Sequence, residues 1–239
     1  MKLSVLIPMY NEKNIVEGTA KTLVSYLTPK FGDEYEVVFS DDGSTDCCAD
    51  IVRSLGLPNV RVVSYPDNRG KGSAVREGIK KCVGDVIVCT DCDLAYGCDA
   101  IVNIYNRIIS GGEHVVIGSR NIASDGYDGY TFIRKLMSKM YIKLVSFIAG
   151  FRYSDSQCGL KAYCAEAARS IFEHCAVNGF AFDLEVLLLT EKLGMKIAEI
   201  PVKVINHRES ASKVHPFRDA VKMIEDVKRI KKRIRKLKI

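Results

Sequence analysis

The stretch VIVCTDCD, residues 86–93, shows the pattern that decides the fold, because a short apolar run ends directly in two carboxylates. Val86–Thr90 has the length and the β-branched composition of a buried strand. Similar runs recur along the chain, at Leu3–Ile7, Glu36–Ser40, Val60–Ser64 and Val115–Gly118. Helix-like segments lie between most of them, at about Glu12–Leu27, Thr45–Leu55, Gly72–Cys82 and Asp99–Ile109. Since strands that alternate with helices are joined by crossovers, we expect a largely parallel sheet flanked by helices.

The residues that follow these strands are unusually acidic. Asp91 and Asp93 follow one run, and the string DDGSTD, residues 41–46, follows another. The carboxyl ends of parallel strands meet at one edge of the sheet, where open α/β folds bind ligands. Neighbouring carboxylates repel one another unless a cation or a donor-rich ligand holds them. A divalent metal with a nucleotide diphosphate is the economical interpretation, although two acids one residue apart also occur in ordinary loops and helix caps.

Two further strings at this edge have both a functional and an ordinary interpretation. Asp42 is a candidate acceptor for the N–H of a nucleotide base, whereas residues 41–46 are also typical of a turn with a helix start at Ser44 or Thr45. The string NRGKG, residues 68–72, suits a diphosphate through Lys71 and its glycines, and is equally typical of a turn before a helix. The sequence has neither the spacing of a Walker loop nor a dinucleotide fingerprint after the first strand.

The positive charge of the chain is concentrated at its C-terminal end. The 239 residues carry a net charge of +6. Residues 216–239 hold ten lysines and arginines against three acids, a charge of +7, which leaves −1 on residues 1–215. This asymmetry argues against a nucleic-acid-binding surface spread over the fold, so no nucleic-acid partner is expected. We expect one domain over residues 1–215, with a helix at Phe182–Leu193 and a strand within Lys196–Ile205, followed by a basic helix.

The basic C-terminal segment also carries an apolar stripe. Its apolar residues recur every three or four positions, at Phe217, Val221, Ile224, Val227, Ile230, Ile234 and Leu237. Such a helix either lies on an anionic membrane surface or docks its stripe on the domain. Residues 132–151 have the same two interpretations, at the membrane interface or in the core. No run reaches the ~18 apolar residues of a membrane span, so we expect peripheral attachment to a membrane surface.

The nine cysteines indicate a reducing compartment. They are odd in number, lie mostly in apolar runs and accompany no secretory segment, so we expect free thiols and a cytoplasmic location. Cys89 and Cys92 with Cys98 invite a zinc interpretation, but no second pair stands at a matching spacing.

Five strings taken together resemble the family 2 inverting glycosyltransferases. They are Pro8-x-Tyr10-Asn11-Glu12, residues 41–46, Asn68-x-Gly70-Lys71-Gly72, Asp91-x-Asp93 and Gly118-Ser119-Arg120, in the family's order and approximate spacing. The resemblance covers about residues 3–215. It implies the GT-A fold, a Rossmann-like α/β fold that binds a nucleotide sugar on a mainly parallel mixed central sheet flanked by helices. Residues 1–120 are then the nucleotide-binding half and residues 121–215 the acceptor-binding half.

Two later strings narrow this resemblance. Residues 155–161, DSQCGLK, and Phe182-Asp183-x-Glu185 look like the dolichyl-phosphate glucosyltransferase branch. That branch transfers glucose from UDP-glucose to a polyprenyl phosphate at the cytoplasmic face of a membrane, and the resemblance implies Mg²⁺ or Mn²⁺. The related mannose synthases use GDP-mannose, so the sugar, the base and the acceptor stay open. A sugar nucleotidyltransferase and a non-catalytic nucleotide-sugar-binding membrane adaptor are the rival interpretations.

The resemblance also assigns the site residues. The nucleotide sugar is expected to contact Pro8, Tyr10, Asn11, Glu12, Asp42, Lys71 and Asp91, and the metal to contact Asp91 and Asp93. The acceptor phosphate is expected to contact Arg120, Arg134, Ser138, Arg208 and Lys213. The negative charge of the reaction is then stabilised by the metal at Asp93 together with Arg120, Arg134, Arg208 and Lys71. Asp155 is either a base or an anchor of the acceptor loop, and the second role is favoured because an ionised phosphate needs no strong base.

Overall fold

A seven-stranded mixed sheet forms the centre of the protein. The computed structural model describes residues 1–123, 126, 148–150, 152–205 and 216–237, and in the last range it describes side chains from residue 224 onward. The strands are β1 (Leu3–Met9), β2 (Tyr35–Asp41), β3 (Val60–Ser64), β4 (Val86–Cys89), β5 (Val115–Ser119), β6 (Lys161–Cys164) and β7 (Ile197–Pro201). They lie in the order β3-β2-β1-β4-β6-β5-β7, and within this sheet only β6 runs antiparallel to its neighbours.

Helices cover both faces of the sheet. They are α1 (Val16–Phe31), α2 (Cys48–Ser54), α3 (Lys71–Ile79), α4 (Gly97–Gly111), α5 (Ala165–His174), α6 (Phe182–Lys192) and α7 (Pro216–Lys236). Helices α1, α2 and α4 pack on one face, and α3, α5, α6 and α7 pack on the other. Strand β1 shows how the sequence achieves this, since Val5 and Ile7 enter the first core and Leu6 enters the second. A strand buried on both faces is apolar at successive positions.

The predicted strands are confirmed, and two of the predicted helices begin later than expected. Helix α1 begins at Val16 and not at Glu12, after a turn in which the carbonyl of Glu12 accepts the amides of Ile15 and Val16. The predicted helix start at Ser44 or Thr45 is wrong, and α2 begins at Cys48. The reason is that Cys47 adopts a left-handed backbone with φ 64°, which a right-handed helix cannot include.

One strand and one helix were not expected from the sequence. Strand β6 is only four residues long, and it lies between the β4 and β5 strands with which it pairs. Helix α5 follows it directly. Because β6 is antiparallel, its first residue, Lys161, lies at the same edge of the sheet as the carboxyl end of β4. The residues that precede β6 therefore reach the predicted ligand-binding edge.

Three residues of the apolar stripe of the C-terminal helix are buried. Val227, Ile230 and Ile234 are at most 6% exposed and belong to the core that includes α5 and α6. The interpretation in which this stripe lies in a membrane is therefore wrong for these residues, and the alternative of a docked helix is correct. The side chains of Phe217 and Val221, and residues 132–147, lie outside the described part of the chain.

Candidate active site

The loops that follow β1 and β2 are fastened to each other at the carboxyl edge of the sheet. The backbone N–H of Asn11 donates to Ser44 Oγ at 2.9 Å, and the backbone N–H of Lys13 donates to Asp46 Oδ2 at 2.8 Å. Asn11 Oδ1 in turn accepts the amide of Thr45. The polar residues of both strings thus form one surface. Sequence reasoning predicted that they share an edge, but not that Asn11 joins the two loops.

The predicted nucleotide residues near β1 lie at the surface of this edge. Tyr10 is 46% exposed, Asn11 is exposed, and Glu12 is half-buried. Pro8, the next-to-last residue of β1, lines a cleft at the carboxyl ends of β1 and β4. These positions leave the ring of Tyr10 accessible to a flat ligand.

Asp42 organises the loop that precedes α3. Its carboxylate, 3% exposed, accepts hydrogen bonds from Tyr65 Oη at 2.5 Å, Asn68 Nδ2 at 3.0 Å, Arg69 N at 2.9 Å and Gly70 N at 2.7 Å. Burial and the hydrogen bond to Asp42 together raise the pKa of Tyr65. A carboxylate offers about four acceptor positions. An incoming base N–H therefore shares this carboxylate with the loop or displaces one of its donors.

Lys71 and Asp91 form an ion pair in the cleft at the carboxyl ends of β1 and β4. Lys71 Nζ lies 2.5 Å from Asp91 Oδ1. Burial acts to raise the pKa of Asp91, but the positive charge of Lys71 and its hydrogen bond bring the pKa below its usual value. The pKa of Lys71 is raised despite burial, chiefly by Asp91 and then by Asp183. Both groups are therefore charged at neutral pH. Asp93 is half-buried, and its Oδ1 accepts the amide N–H of Ala95 at 3.1 Å.

A second ion pair, which sequence reasoning did not assign to the site, lies in the same cleft. Lys161, 2% exposed, donates to Asp183 Oδ1 at 2.6 Å and to the carbonyl of Cys158 at 2.5 Å. The signal was present, since Lys161 ends the string 155–161 and Asp183 begins the string Asp183-x-Glu185. The cleft is lined by Pro8, Lys71, Val75, Cys89, Thr90, Asp91, Gly159, Lys161, Tyr163, Phe182 and Asp183.

The charges of the cleft do not favour a diphosphate by themselves. Lys71 and Lys161 are balanced by Asp91 and Asp183, with which they pair. A diphosphate brings more negative charge to the same place, so a divalent cation is needed to offset it. Two carboxylates are the number that Mg²⁺ commonly takes from a protein when substrate phosphates supply other ligands. Among the described residues there is no cluster of three or more His, Cys, Asp or Glu side chains arranged to hold a metal.

Gly159 allows the string 155–161 to approach Asp91. A Cβ atom built at this position lies 2.2 Å from Asp91 Oδ2, closer than any real contact. The amide N–H of Gly159 donates to Tyr96 Oη at 3.3 Å. A side chain at residue 159 would therefore move the metal-binding candidate Asp91.

Arg120 and Asp155 are joined in a bidentate ion pair. Arg120 Nε lies 2.6 Å from Asp155 Oδ2, and Nη2 lies 2.9 Å from Oδ1. Asp155 is fully buried, and its own amide and that of Ser154 donate to Glu199 of β7. These contacts join the loop before β6 to Arg120 and to β7. The remaining predicted acceptor residues, Arg134, Ser138, Arg208 and Lys213, lie outside the described part of the chain.

The cysteine pair at Cys89 and Cys92 does not form a metal site. Cys89 belongs to the core on one face of the sheet and Cys92 to the core on the other. Burial raises the pKa of Cys92 to about 12, so its thiol stays protonated. All nine cysteines are free, as expected.

The family of the chain follows from its sequence match, which covers most of these elements. Residues 4–172 match the Glycosyl transferase family 2 domain. The chain belongs to this family. The expectation of a glycosyltransferase is thereby confirmed, and the nucleotidyltransferase and adaptor interpretations are set aside.

Curated relatives agree with this membership over nearly the whole chain. A dolichyl-phosphate beta-glucosyltransferase of Dictyostelium discoideum is 32% identical over 96% of this chain and 73% of the relative. The human protein of the same name is 31% identical over 95% of this chain and 74% of the relative.

The solved structures show the fold. Glucosyl-3-phosphoglycerate synthase of Mycobacterium tuberculosis, in complex with Mn²⁺, UDP and phosphoglyceric acid, superposes with a TM-score of 0.70. It is 21% identical, and the alignment covers 98% of this chain and 78% of that one. The expectation of a GT-A fold is confirmed. Within the described ranges, no helix has both the length and the apolar character to cross a membrane.

Proposed function

We propose that this glycosyltransferase moves glucose from UDP-glucose to a polyprenyl phosphate, with inversion at the sugar C1. The proposal rests on sequence similarity to relatives named dolichyl-phosphate beta-glucosyltransferases. The alignment with one of them covers 96% of this chain at 32% identity. The cleft supports it, because carboxylates and lysines converge at the carboxyl ends of β1 and β4. A GDP-mannose donor or another acceptor is the alternative.

On the donor side, the nucleotide is bound by the loops after β1 and β2. Tyr10 and Pro8 provide flat contact surfaces for the base and ribose, with Asn11, Glu12 and Asp42 as polar neighbours. Asp42 acts partly through the loop it holds, because four donors of residues 65–70 converge on its carboxylate. Lys71 then turns from Asp91 toward the diphosphate when the donor enters.

Asp91 and Asp93 would hold Mg²⁺ or Mn²⁺. Their hard oxygen atoms fit such a cation, and the lowered pKa of Asp91 keeps this carboxylate ionised. When bound, the cation neutralises charge on the diphosphate and so makes UDP a better leaving group.

On the acceptor side, a phosphate oxygen of the lipid attacks C1 of glucose in line with the departing UDP. The bond from C1 to the diphosphate oxygen breaks as the bond to the lipid phosphate forms. A phosphate is ionised at neutral pH, so no base is needed, and Asp155 remains paired with Arg120. Arg120, Arg134, Ser138, Arg208 and Lys213 bind the acceptor phosphate, with Arg120 and Arg134 countering its charge.

The protein meets its lipid acceptor as a peripheral protein at the cytoplasmic face of a membrane. Since Val227, Ile230 and Ile234 of the apolar stripe are buried, attachment through this part of α7 is electrostatic. The exposed cations of the described part of α7, which we call the basic face, are Lys228, Arg229, Lys232, Arg235 and Lys236. Arg233 of the same helix donates to the carbonyl of His174, the last residue of α5.

Neutralising part of the basic face is expected to weaken binding to anionic vesicles. The triple variant Lys228→Ala, Lys232→Ala, Arg235→Ala loses about 1 kcal/mol of attraction per residue, or roughly a hundredfold in vesicle affinity. Co-sedimentation with vesicles containing phosphatidylserine measures it. A control with the same charge change, Lys21→Ala, Arg53→Ala, Lys80→Ala, removes exposed cations from α1, α2 and the residue that follows α3. Equal losses in the two triple variants would show that net charge, and not this face, drives attachment.

Donor choice is tested by ligand-induced stabilisation. With Mg²⁺, UDP-glucose at a hundred times its dissociation constant is expected to raise the free energy of unfolding by about 2.7 kcal/mol. GDP-mannose at the same concentration should have a much smaller effect, and EDTA should remove the stabilisation by UDP-glucose. Thermal shifts of the native protein report all three. Stronger stabilisation by GDP-mannose would favour the mannose synthase alternative.

A further inference from the structure

Glu185 is a buried acid that the proposed reaction does not use. Its side chain is fully buried on α6. Its carboxylate accepts the amides of Ala176 at 3.0 Å and Val177 at 2.8 Å, and Arg233 Nη2 of α7 at 2.5 Å. A buried carboxylate is costly unless such donors surround it. The three donors therefore fix the segment that enters α6 and join it to the C-terminal helix.

The next residue of that segment reaches the diphosphate loop. The carbonyl of Asn178 accepts the amide of Gly72 at 2.7 Å and that of Ser73 at 3.4 Å, and Asn178 Oδ1 accepts Arg76 Nη2 at 2.6 Å. The approach is tight, since a Cβ atom at Gly72 would lie 2.5 Å from the carbonyl oxygen of Val177. The first turn of α3, which begins at Lys71, is therefore positioned by residues 177–178.

We propose that Glu185 and Arg233 are positioning residues for the donor. Together they hold residues 176–178, which hold the start of α3 and so keep Lys71 where it meets the nucleotide diphosphate. The C-terminal helix thereby sets donor affinity although none of its described side chains, from residue 224 onward, lines the cleft. This inference rests on the proposed function for the identity of the donor, whereas the coupling itself is a property of the protein without ligand.

The experiment replaces Arg233 and measures the affinity for UDP and the hydrogen exchange of the protein. In Arg233→Ala, the dissociation constant of UDP with Mg²⁺ is expected to rise about tenfold, as for the loss of other supporting contacts behind a binding site. The KM for the polyprenyl phosphate should not change. Hydrogen exchange of the protein without ligand should accelerate in peptides covering residues 70–79 and 175–182. Arg233→Lys, which keeps a cation beside Glu185, should recover part of both effects.

The matched control is Arg107→Ala, which breaks another Arg–Glu ion pair. Its partner, Glu113, lies just before β5, at the edge of the sheet opposite the cleft. It should leave UDP affinity and exchange at residues 70–79 unchanged. If Arg233→Ala lowers stability yet binds UDP as the native protein does, with unchanged exchange at 70–79, the pair only fastens the helix and the proposal is wrong. Should the alanine variant not fold, Arg233→Lys is judged by the same two readouts. If the native protein transfers no glucose, the proposed function fails, while exchange at 70–79 still decides the coupling.

Discussion

Replacing Asp93 with alanine is expected to abolish glucose transfer, by about a thousandfold or more in kcat, while the protein stays folded. The carboxylate is one of two candidate ligands for the divalent cation that would offset the charge of the diphosphate. Asp93 is half-buried, and its Oδ1 accepts the amide N–H of Ala95. We expect its loss to affect the binding of the cation far more than the stability of the fold. Steady-state transfer assays and UDP titration with Mg²⁺ measure the effect.

Asp50→Ala is the matched control for this substitution. Asp50 is an exposed carboxylate on α2 that pairs with Arg53, and its removal should leave transfer unchanged. EDTA should inhibit the native protein as strongly as the Asp93→Ala substitution does. Full activity of the native protein in EDTA would overturn the metal role of Asp91 and Asp93.

Replacing Asp155 with alanine is expected to cost about 3–5 kcal/mol in the free energy of unfolding. Asp155 is fully buried, and the side chain of Arg120 is only 14% exposed, so the substitution leaves a largely buried guanidinium without its carboxylate. The double variant Asp155→Ala, Arg120→Ala removes both charges and should be more stable than Asp155→Ala alone. Denaturant unfolding of the native protein and the three variants gives the coupling energy, expected above about 2 kcal/mol.

This cycle also separates the two roles that the sequence leaves open for Asp155. An anchor loses stability when it is replaced, and the loss depends on Arg120. If Asp155 is a base, its replacement lowers kcat while the stability stays nearly native. The effects of the Asp155 and Arg120 substitutions on the free energy of unfolding are then additive. The base role would be assigned instead by two results together. The substitutions would change the free energy of unfolding additively and by less than about 1 kcal/mol, and Asp155→Asn would have a reduced kcat.

The sheet and its acidic edge could be predicted because each signal is local. The run Val86–Thr90 is a strand by its own composition, and Asp91 and Asp93 reach the carboxyl edge by following it. The start of α2 was predicted less well, because Cys47 adopts a left-handed backbone that its residue type does not indicate. The hydrogen bond from Thr45 to Asn11 joins residues far apart in sequence, and such a contact has no local signal.

The ion pairs of the site were the feature that the sequence indicated least. The partners Lys161 and Asp183 are separated by 22 residues, and Glu185 and Arg233 by 48. The sequence does not show which charged residues of the two strings pair with each other. The pairing depends on β6, which places Lys161 beside the cleft. The stripe of α7 illustrates a related limit, since a period of three or four residues predicts an apolar face but not what covers it.

The most direct test of glucose transfer follows both products of one reaction. The native protein is incubated with UDP-glucose, Mg²⁺ and a polyprenyl phosphate in vesicles, and UDP and lipid-linked glucose are measured together. We expect one UDP released for each glucose that appears on the lipid, with the configuration at C1 inverted, and no release of UDP without the lipid phosphate. UDP release that does not depend on the lipid, or a product with retained configuration, would contradict the proposed function.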